Sequence, residues 1–343
     1  MNKHTTYDLR QMQSLPLKAK VIMTQQRIKE WYDHWNGEVY VSFSGGKDST
    51  VLKHLVETTV GVYDVPSIFI NTGLEFPEIQ KFAKSQPNVT VIRPKMRFDE
   101  VLKKYGYPVV SKTVANAVDI TRNKIAKGEE LVDVRSRQLL GTYLYNGHKT
   151  RYDKSKWKFL LDADYKISDR CCLIMKKTPA HAYEKETHRK PFLGTMASES
   201  IQREASWMKY GCNGFDMARP SSKPMSFWTE QDVLQYLLEN NLEYCSVYGD
   251  IVKDSKGNLM TTGYNRTGCI FCMFGCHLEK EPNRFQKIQT THPRQYEYCI
   301  KGGEYVDGIW QPNKEGLGLG HVLDSLGVKY EKEPDLFDFT KEE

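Results

Sequence analysis

Apolar and polar positions alternate along the first third of the chain in a way that sets out a fold. Val39-Tyr40-Val41-Ser42-Phe43 is a short β-branched and aromatic run, which reads as a buried strand. The chain then turns through Ser44, Gly45 and Gly46, and Val51, Leu52, Leu55 and Val56 follow at helical spacing. Ser67–Gly73 is a second buried strand ending in turn chemistry, and Leu74–Glu78 opens a helix with Pro77 suited to its first turn. Val89–Arg93 is a third strand, stopped by Pro94. Strand, helix, strand, helix, strand at this spacing predicts an α/β fold built on a doubly wound parallel sheet. Ligands of such sheets lie at the carboxyl ends of the strands, which puts Ser44–Thr50 and Asn71–Glu75 on one rim.

Outside this frame the pattern changes. Residues 14–36 carry Leu15, Leu17, Val21, Ile22, Ile28, Trp31 and Tyr32 at helix-like spacing up to Gly37, and predict a helix covering the sheet. Residues 111–156 are polar and lysine-rich, with a weak helical pattern at Val114, Ala117, Val118, Ile120 and Ile125. They read as an inserted helical segment with a mobile end near 143–155. Pro191–Met196 reads as a strand, Ser198–Arg203 as a helix start with a serine cap, and Thr229–Asp232 as the cap of a helix over Val233–Glu239. The domain organisation expected is a first part of a nucleotide-binding domain over 1–110 and the insertion over 111–156. The remainder of the domain with its cysteines follows over 157–276, and a helical extension over 277–343.

The chain has 343 residues with 39% hydrophobic and 27% charged content, which predicts a folded globule of one large or two ordinary domains. No run is long enough to span a bilayer, and Met1–Gln13 lacks the apolar core of a signal peptide, so a cytoplasmic protein with no membrane partner is expected. A net charge of +6 permits nucleic-acid contact without demanding it, and nucleotide phosphates account for part of it. All eight cysteines, Cys171, Cys172, Cys212, Cys245, Cys269, Cys272, Cys276 and Cys299, fall in the second half. In a reducing compartment such clustering reads as metal binding or redox work.

A strand, a Ser/Gly turn and a helix N-terminus make an anion site, because the first N–H groups of the helix are unpaired and its dipole is positive there. Gly45 and Gly46 let the backbone curl around an oxyanion. Ser44, Ser49 and Thr50 supply hydroxyls, Lys47 a point charge, and Asp48 an oxygen ligand for Mg²⁺. Four residues would have to separate the glycines in the common Gly-x-x-x-x-Gly-Lys-Ser/Thr loop, so this is a different phosphate loop. Lys47 and Asp48 are expected to face solvent.

The string Ser44-Gly45-Gly46-Lys47-Asp48-Ser49 resembles the PP-loop of the adenine-nucleotide α-hydrolase superfamily. From Val39 to Cys276 the chain resembles the phosphoadenosine phosphosulfate (PAPS) reductase family of PP-loop proteins. The resemblance rests on an ordered set: Ser44–Ser49, Asn71-Thr72-Gly73-Leu74-Glu75-Phe76-Pro77, Cys171-Cys172 with Lys176-Lys177 and Pro179, Ser198-Glu199-Ser200 with Arg203, Pro224–Trp228 with Asp232, and Gly268-Cys269-x-x-Cys272. It implies an adenine nucleotide, ATP or the sulfonucleotides PAPS or adenosine phosphosulfate. Asn71, Thr72, Gly73 and Glu75 would join the loop in binding it, and its phosphate or sulfate tail would face Lys47, Lys176, Lys177 and Arg203. It also implies a [4Fe–4S] cluster on Cys171, Cys172, Cys269 and Cys272, with Cys276 as alternative ligand. Zn²⁺ in a four-cysteine site would use similar spacing.

Two departures bear on activity. The thiol-dependent reductases carry a nucleophilic cysteine in a C-terminal Glu-Cys-Gly-Leu/Ile-His segment, and residues 317–343 contain no cysteine. The arginine often found two residues after the strand glycine is Met196 here. The intact Lys47 points to ATP instead, since an ammonium stabilises a departing pyrophosphate. The first reading is an ATP-pyrophosphatase-type enzyme, with Lys47, Asp48 and Arg203 as its catalytic groups. It would adenylate an acceptor so that sulfur or another nucleophile displaces AMP, as in the PP-loop subunits of DNA phosphorothioation systems and in tRNA-thiolating enzymes. A nucleic-acid acceptor, tRNA or DNA, and a sulfur-donor protein are possible partners on that reading. The alternatives are a sulfonucleotide reductase with an atypical nucleophile and a non-catalytic nucleotide-binding assembly subunit. Oligomeric state is not legible.

Overall fold

The computed structural model describes residues 2–61 and 64–332. The end of the expected C-terminal extension, residues 333–343, lies outside the described residues. The chain divides into two compact units, Met1–Pro94 with Thr178–Gly268, and Lys95–Lys177 with Cys269–Glu343.

The first unit is the α/β body. Its strands are β1 (Val39–Phe43), β2 (Ser67–Ile70), β3 (Val89–Ile92), β4 (Lys190–Leu193), β5 (Asn213–Gly214) and β6 (Ser221–Ser222), ordered β3-β2-β1-β4-β6-β5. All neighbours are parallel except the short hairpin edge β5–β6. The central strand buries Val39, Tyr40, Val41 and Phe43, whereas β3, on the outer edge, leaves Val91 exposed. Strand order reverses at β1: β2 and β3 build to one side and β4 to the other. The crevice beyond the carboxyl end of β1 is therefore the topological switch point, where open α/β sheets bind ligands.

Helix α1 (Thr6–Gln13) is opened by a Thr5–Asp8 capping box. Helix α2 (Leu17–His34), expected to cover the sheet, packs instead against the helix that follows β1; it buries Leu17, Lys20, Thr24, Ile28 and Trp31, while Ile22 stays exposed. Lys20 is the unexpected member of that face. Its Nζ reaches Asp232 Oδ2 at 2.7 Å, and the same oxygen accepts from the backbone N–H and hydroxyl of Thr229. A buried charge of this kind needs a full set of partners. Trp228 donates from its indole to Thr24 at 2.8 Å. The Pro224–Asp232 segment, part of the family resemblance, thus anchors α2 in this unit. Helix α3 (Lys47–Val60) follows β1 and buries Val51, Leu52, Leu55 and Val56, and α4 (Pro77–Ser85) starts on Pro77 after β2.

The second unit is mainly helical. The expected insertion forms helices over Lys112–Ala126 and Val134–Leu140, burying Val114, Ala117 and Val118 but leaving Ile125 exposed. Residues 144–149 fold into a two-residue hairpin, with Asn146 and Gly147 both at positive φ (50° and 76°). Arg122 knits the unit together by donating to the carbonyls of Leu160, Leu161, Ala163 and Tyr165. The Gly316-Leu317-Gly318-Leu319-Gly320 stretch is a packing device. Gly318 sits at φ +65° with its carbonyl accepting from the Trp310 indole at 3.0 Å, and a Cβ on Gly320 would meet Ile300.

Candidate functional site: a phosphate loop and a thiol cluster

In the first unit the turn after β1 is held by its own side chains. Ser49 Oγ donates to the Gly46 carbonyl at 2.8 Å, Thr50 Oγ1 to the same carbonyl at 3.1 Å, and Ser44 N donates to Ser49 Oγ at 3.2 Å. Gly45 adopts φ +71°, and a Cβ there would lie 3.0 Å from the Ile79 side chain, so only glycine lets α4 come this close. Gly194, at the end of β4, plays the matching part on the other side. A Cβ on it would lie 3.1 Å from the Asp48 carbonyl. The loop is thus seated between β1, α4 and β4.

The expectation that Lys47 faces solvent is corrected. Its side chain is only 5% exposed, because the ammonium donates to the Asn265 carbonyl at 2.7 Å and pairs with Glu230 Oε1 at 3.1 Å. Its backbone N–H donates to the Tyr248 hydroxyl at 3.3 Å, and that hydroxyl pairs with Thr267 Oγ1 at 2.6 Å. Burial pushes the Tyr248 phenol up to about 12, so it stays a neutral hydroxyl. Asp48 Oδ1 is buried with no hydrogen-bond partner. Burial, aided by the Glu230 charge, raises the Asp48 carboxyl above the usual range, against the opposing pull of Lys47, Arg266 and Arg203. A buried orphan oxygen among three cations is a site prepared for a further charged group.

Asn71, Thr72, Gly73 and Glu75 lie directly beyond β2, on the same rim. Thr72 donates to the Glu75 carboxylate from its backbone at 3.0 Å and from its hydroxyl at 2.7 Å, and Gly73 N donates to Asn71 Oδ1 at 3.0 Å. Thr72 and Glu75 therefore hold the shape of the turn. Ser200 caps the helix Ile201–Tyr210, and Glu199 pairs with Arg203 while accepting from Met196 N at 2.7 Å. Burial and then the neighbouring Arg266 lower the Arg203 guanidinium below its ordinary value. The same two causes, burial and then Arg203, lower Lys223. Lys47, Arg203 and Arg266 thus form a cationic neighbourhood around Asp48, with Lys223 near Arg203. Sequence reasoning did not assign Tyr248, Asn265, Arg266, Thr267 or Lys223 to the site. The polar Asn265-Arg266-Thr267 lead-in to Gly268 was the one signal available.

Cys171, Cys172, Cys269, Cys272 and Cys276 all belong to the second unit, as do Lys176 and Lys177. The vicinal pair opens a helical segment that passes through a π-turn over Leu173–Lys177, so the two side chains leave the opposite-face geometry of a strand. Cys171 Sγ lies 4.0 Å from Cys172 Sγ and acts as its donor. That hydrogen bond, then burial and the charges of Cys172, Cys272 and Cys269, drives the Cys171 thiol up. Cys172 is held down to about 6 by the hydrogen bond from Cys171, with Lys112 and Lys176 acting the same way against burial. Burial raises Cys272, and raises Cys276 to about 11. Beside Cys276, the Nδ1 of His277 is buried without a partner.

Among the described residues no three His, Cys, Asp or Glu side chains are arranged to hold a metal ion as they stand. Cysteine thiols are the donor type that a soft metal takes: Cys171 Sγ and Cys172 Sγ lie 4.0 Å apart, and His277 Nδ1 beside Cys276 is buried without a partner.

A family model for the phosphoadenosine phosphosulfate reductase domain matches residues 38–127 and 143–274. The chain is 24% identical over 304 residues to the uncharacterized protein MJ0066 of Methanocaldococcus jannaschii, covering 87% of this chain and 47% of that protein. It is 38% identical over 99 residues to MJ0973 of the same organism, covering 26% of this chain and 23% of that one. The chain thus spans less than half the length of these two relatives. Sulfate adenylyltransferase subunit 2 of Shewanella sp. (strain ANA-3) is 24% identical over 219 residues, 60% of this chain and 58% of that subunit. A crystal structure of PAPS reductase from Candida auris, in a phosphate complex, aligns at 16% identity with a TM-score of 0.36, over 74% of this chain and 97% of that chain. The family model takes in the phosphate loop, the rim beyond β2, Arg203 and both cysteine pairs, and the chain belongs to the phosphoadenosine phosphosulfate reductase domain family of PP-loop proteins.

Proposed function

We propose that this chain cleaves ATP between its α- and β-phosphates, transferring AMP to an acceptor and releasing pyrophosphate, as the activating step of a sulfur transfer. The observation that carries this reading is that the N-terminus of α3 holds both a buried Lys47 ammonium and an Asp48 Oδ1 buried with no hydrogen-bond partner. The exposed Glu230 carboxylate would swing away, and the Lys47 ammonium would then stabilise the developing charge on the departing pyrophosphate. Asp48 Oδ1 fits the Mg²⁺ that accompanies a nucleotide, an oxygen-ligated ion. The positive end of α3 and the Arg203 guanidinium would bear on the charge of the phosphates. Thr72 and Glu75 keep the rim rigid beneath the nucleotide. Cys171, Cys172, Cys269 and Cys272, with Cys276 as alternative, would hold a [4Fe–4S] cluster, which supplies a one-electron centre and ties the chain together; Zn²⁺ in the same thiols would do only the second.

The test is a pyrophosphate-release assay on the full chain with Mg²⁺ and ATP, alone and with nucleic acid as acceptor, run beside sulfite release from PAPS with a dithiol protein as reductant. Release of AMP and pyrophosphate, lost in Asp48→Asn with unchanged melting, supports the proposal. Sulfite from PAPS with no cleavage of ATP moves the assignment to a sulfonucleotide reductase. Nucleotide binding with neither product makes the chain a non-catalytic subunit.

A further inference from the structure

Between residues 135 and 158 the second unit carries seven lysines and arginines against one acid, Asp153, with four aromatic residues interleaved. Asp153 is already engaged, accepting from Ser155 Oγ at 2.8 Å and pairing with Lys149 at 3.3 Å. Among the described residues Arg135, Arg137, Arg151, Lys156 and Lys158 have no carboxylate within ion-pair distance, and all five are exposed. Lone surface cations are ordinary, but these are organised on rings. The Arg137 guanidinium lies 5.7 Å from the Tyr143 ring centre, Arg151 lies 4.9 Å from Tyr152, and the Lys156 ammonium 5.0 Å from Trp157. The Asn146-Gly147 turn presents Tyr145 at 73% exposure, with Tyr152 at 50% and Phe159 at 47% nearby in sequence. Large aromatic faces cost free energy in water, and Tyr145, Tyr152 and Phe159 remain substantially exposed.

The scaffold beneath is fixed. Asp133 caps the helix Val134–Leu140, Gly141 ends it at φ +76°, and Lys154 N donates to the Gln138 carbonyl at 3.0 Å, tying the hairpin's return to the helix. Exposed aromatic faces flanked by cations without carboxylate partners match the two halves of a single-stranded polynucleotide: bases to stack and phosphates to neutralise. Duplex DNA hides its base faces, whereas folded RNA displays unpaired loops whose bases splay out onto aromatic and guanidinium planes.

We propose that the hairpin over residues 143–158 is a docking surface for an unpaired loop of RNA, with Tyr145 and Tyr152 stacking on bases and Arg137, Arg151, Lys156 and Lys158 contacting phosphates. The inference would name the acceptor in the proposed adenylation, but it stands on binding alone and is tested without ATP. Fluorescence anisotropy with a labelled RNA stem-loop, at two salt concentrations, reads it. Stacking losses of about 1–3 kcal/mol per base predict a fall in affinity of roughly 5- to 150-fold for Tyr145→Ala or Tyr152→Ala. Arg151→Ala and Lys156→Ala should each flatten the dependence of log affinity on log salt by about 0.7. Lys29→Ala, on an exposed position of α2, should change neither. The proposal is overturned if both tyrosine variants bind as the parent does with unchanged melting, if Lys29→Ala weakens binding as much, or if fully paired RNA binds as tightly as the loop. Tighter binding to a DNA strand of the loop sequence overturns the assignment to RNA. Loss of ATP cleavage with loop binding intact would count against the enzymatic reading and leave this one standing.

Discussion

Lys47 Nζ lies 3.1 Å from Glu230 Oε1, so the ammonium at the phosphate loop is tied to a carboxylate. Glu230 is exposed and Lys47 is buried, an asymmetry that lets the carboxylate swing away while the ammonium keeps its place. An exposed partner of this kind holds the pair by about 1 kcal/mol or less. Glu230→Gln is therefore expected to tighten ATP binding by up to about fivefold, since a competing anion leaves the site. Lys47→Met should instead raise the barrier to pyrophosphate release by about 2.7–4 kcal/mol, a loss of roughly 10²–10³ in rate. Calorimetric Kd values and turnover on the two variants check this. Weaker ATP binding by Glu230→Gln would show that the carboxylate serves the nucleotide directly.

Gly45 offers a second check, on the loop's shape. Its φ of +71° costs a residue with a Cβ about 1–3 kcal/mol, and the added methyl would also press on Ile79, which is fully buried. Gly45→Ala should lower the melting temperature and weaken nucleotide binding together. Gly73, also at positive φ (77°), has open space around its missing Cβ, so Gly73→Ala bears the backbone cost without the clash. A Gly45→Ala variant as stable as the parent would show that the loop relaxes away from α4.

The phosphate loop was legible because it is local. A strand, two glycines and a helix within a dozen residues encode their own geometry, and the parallel sheet followed from the spacing of three such units. What the sequence hid is non-local. Tyr248, Asn265 and Thr267 reach Lys47 from more than 200 positions away, and no period or motif marks such a contact. The burial of Lys47 was hidden for the same reason, since the burying groups come from those distant segments. Lys20 was passed over because a lysine on an apolar helix face reads as polar until its partner, Asp232, is seen. For the glycines at 316–320 too, only their contacts with Trp310 and Ile300 show why glycine stands there.

Asp133 gives a prediction in pH. Burial pushes its carboxyl up, but the Ser136 hydroxyl at 2.6 Å, the Ser136 N–H at 3.0 Å and Lys124 at 3.1 Å prevail and bring it down to about 2. An unfolded aspartate titrates near 3.9. The native state therefore binds the proton less tightly than the unfolded state does. The stabilisation is full above about pH 5 and is lost as pH falls through 3.9 toward 2. Allowing for solvent at this half-buried cap, it amounts to roughly 1–2 kcal/mol. In hydrogen exchange, the amides of Val134–Leu140 should be better protected in the parent than in Asp133→Ala at pH 6. The difference should shrink steadily toward pH 2. A difference that persists undiminished at pH 2 would show that the cap does not work through the ionised carboxylate.

The thiol cluster supplies the last prediction. Cys171 Sγ and Cys172 Sγ lie 4.0 Å apart, Cys269 and Cys272 belong to the same unit, and thiolates in two pairs suit an iron–sulfur centre. Ligands drawn from both ends of a long excursion would staple the second unit, whose metal-binding free energy then becomes folding free energy. In protein prepared without oxygen, Cys172→Ser, Cys269→Ser and Cys272→Ser should each abolish the broad iron–sulfur absorbance and lower the melting temperature. Cys299 is fully buried with its thiol pushed well up by that burial, and Cys245 belongs to the first unit. Their alanine variants should keep the absorbance, whatever cavity Cys299→Ala leaves behind. Cys276 decides the fourth ligand: loss of absorbance in Cys276→Ser but not in Cys171→Ser moves it into the Cys269–Cys276 loop. Protein holding stoichiometric zinc and no iron would keep the ligand set and remove the one-electron chemistry. Absorbance that survives every one of these serine substitutions would put the metal elsewhere.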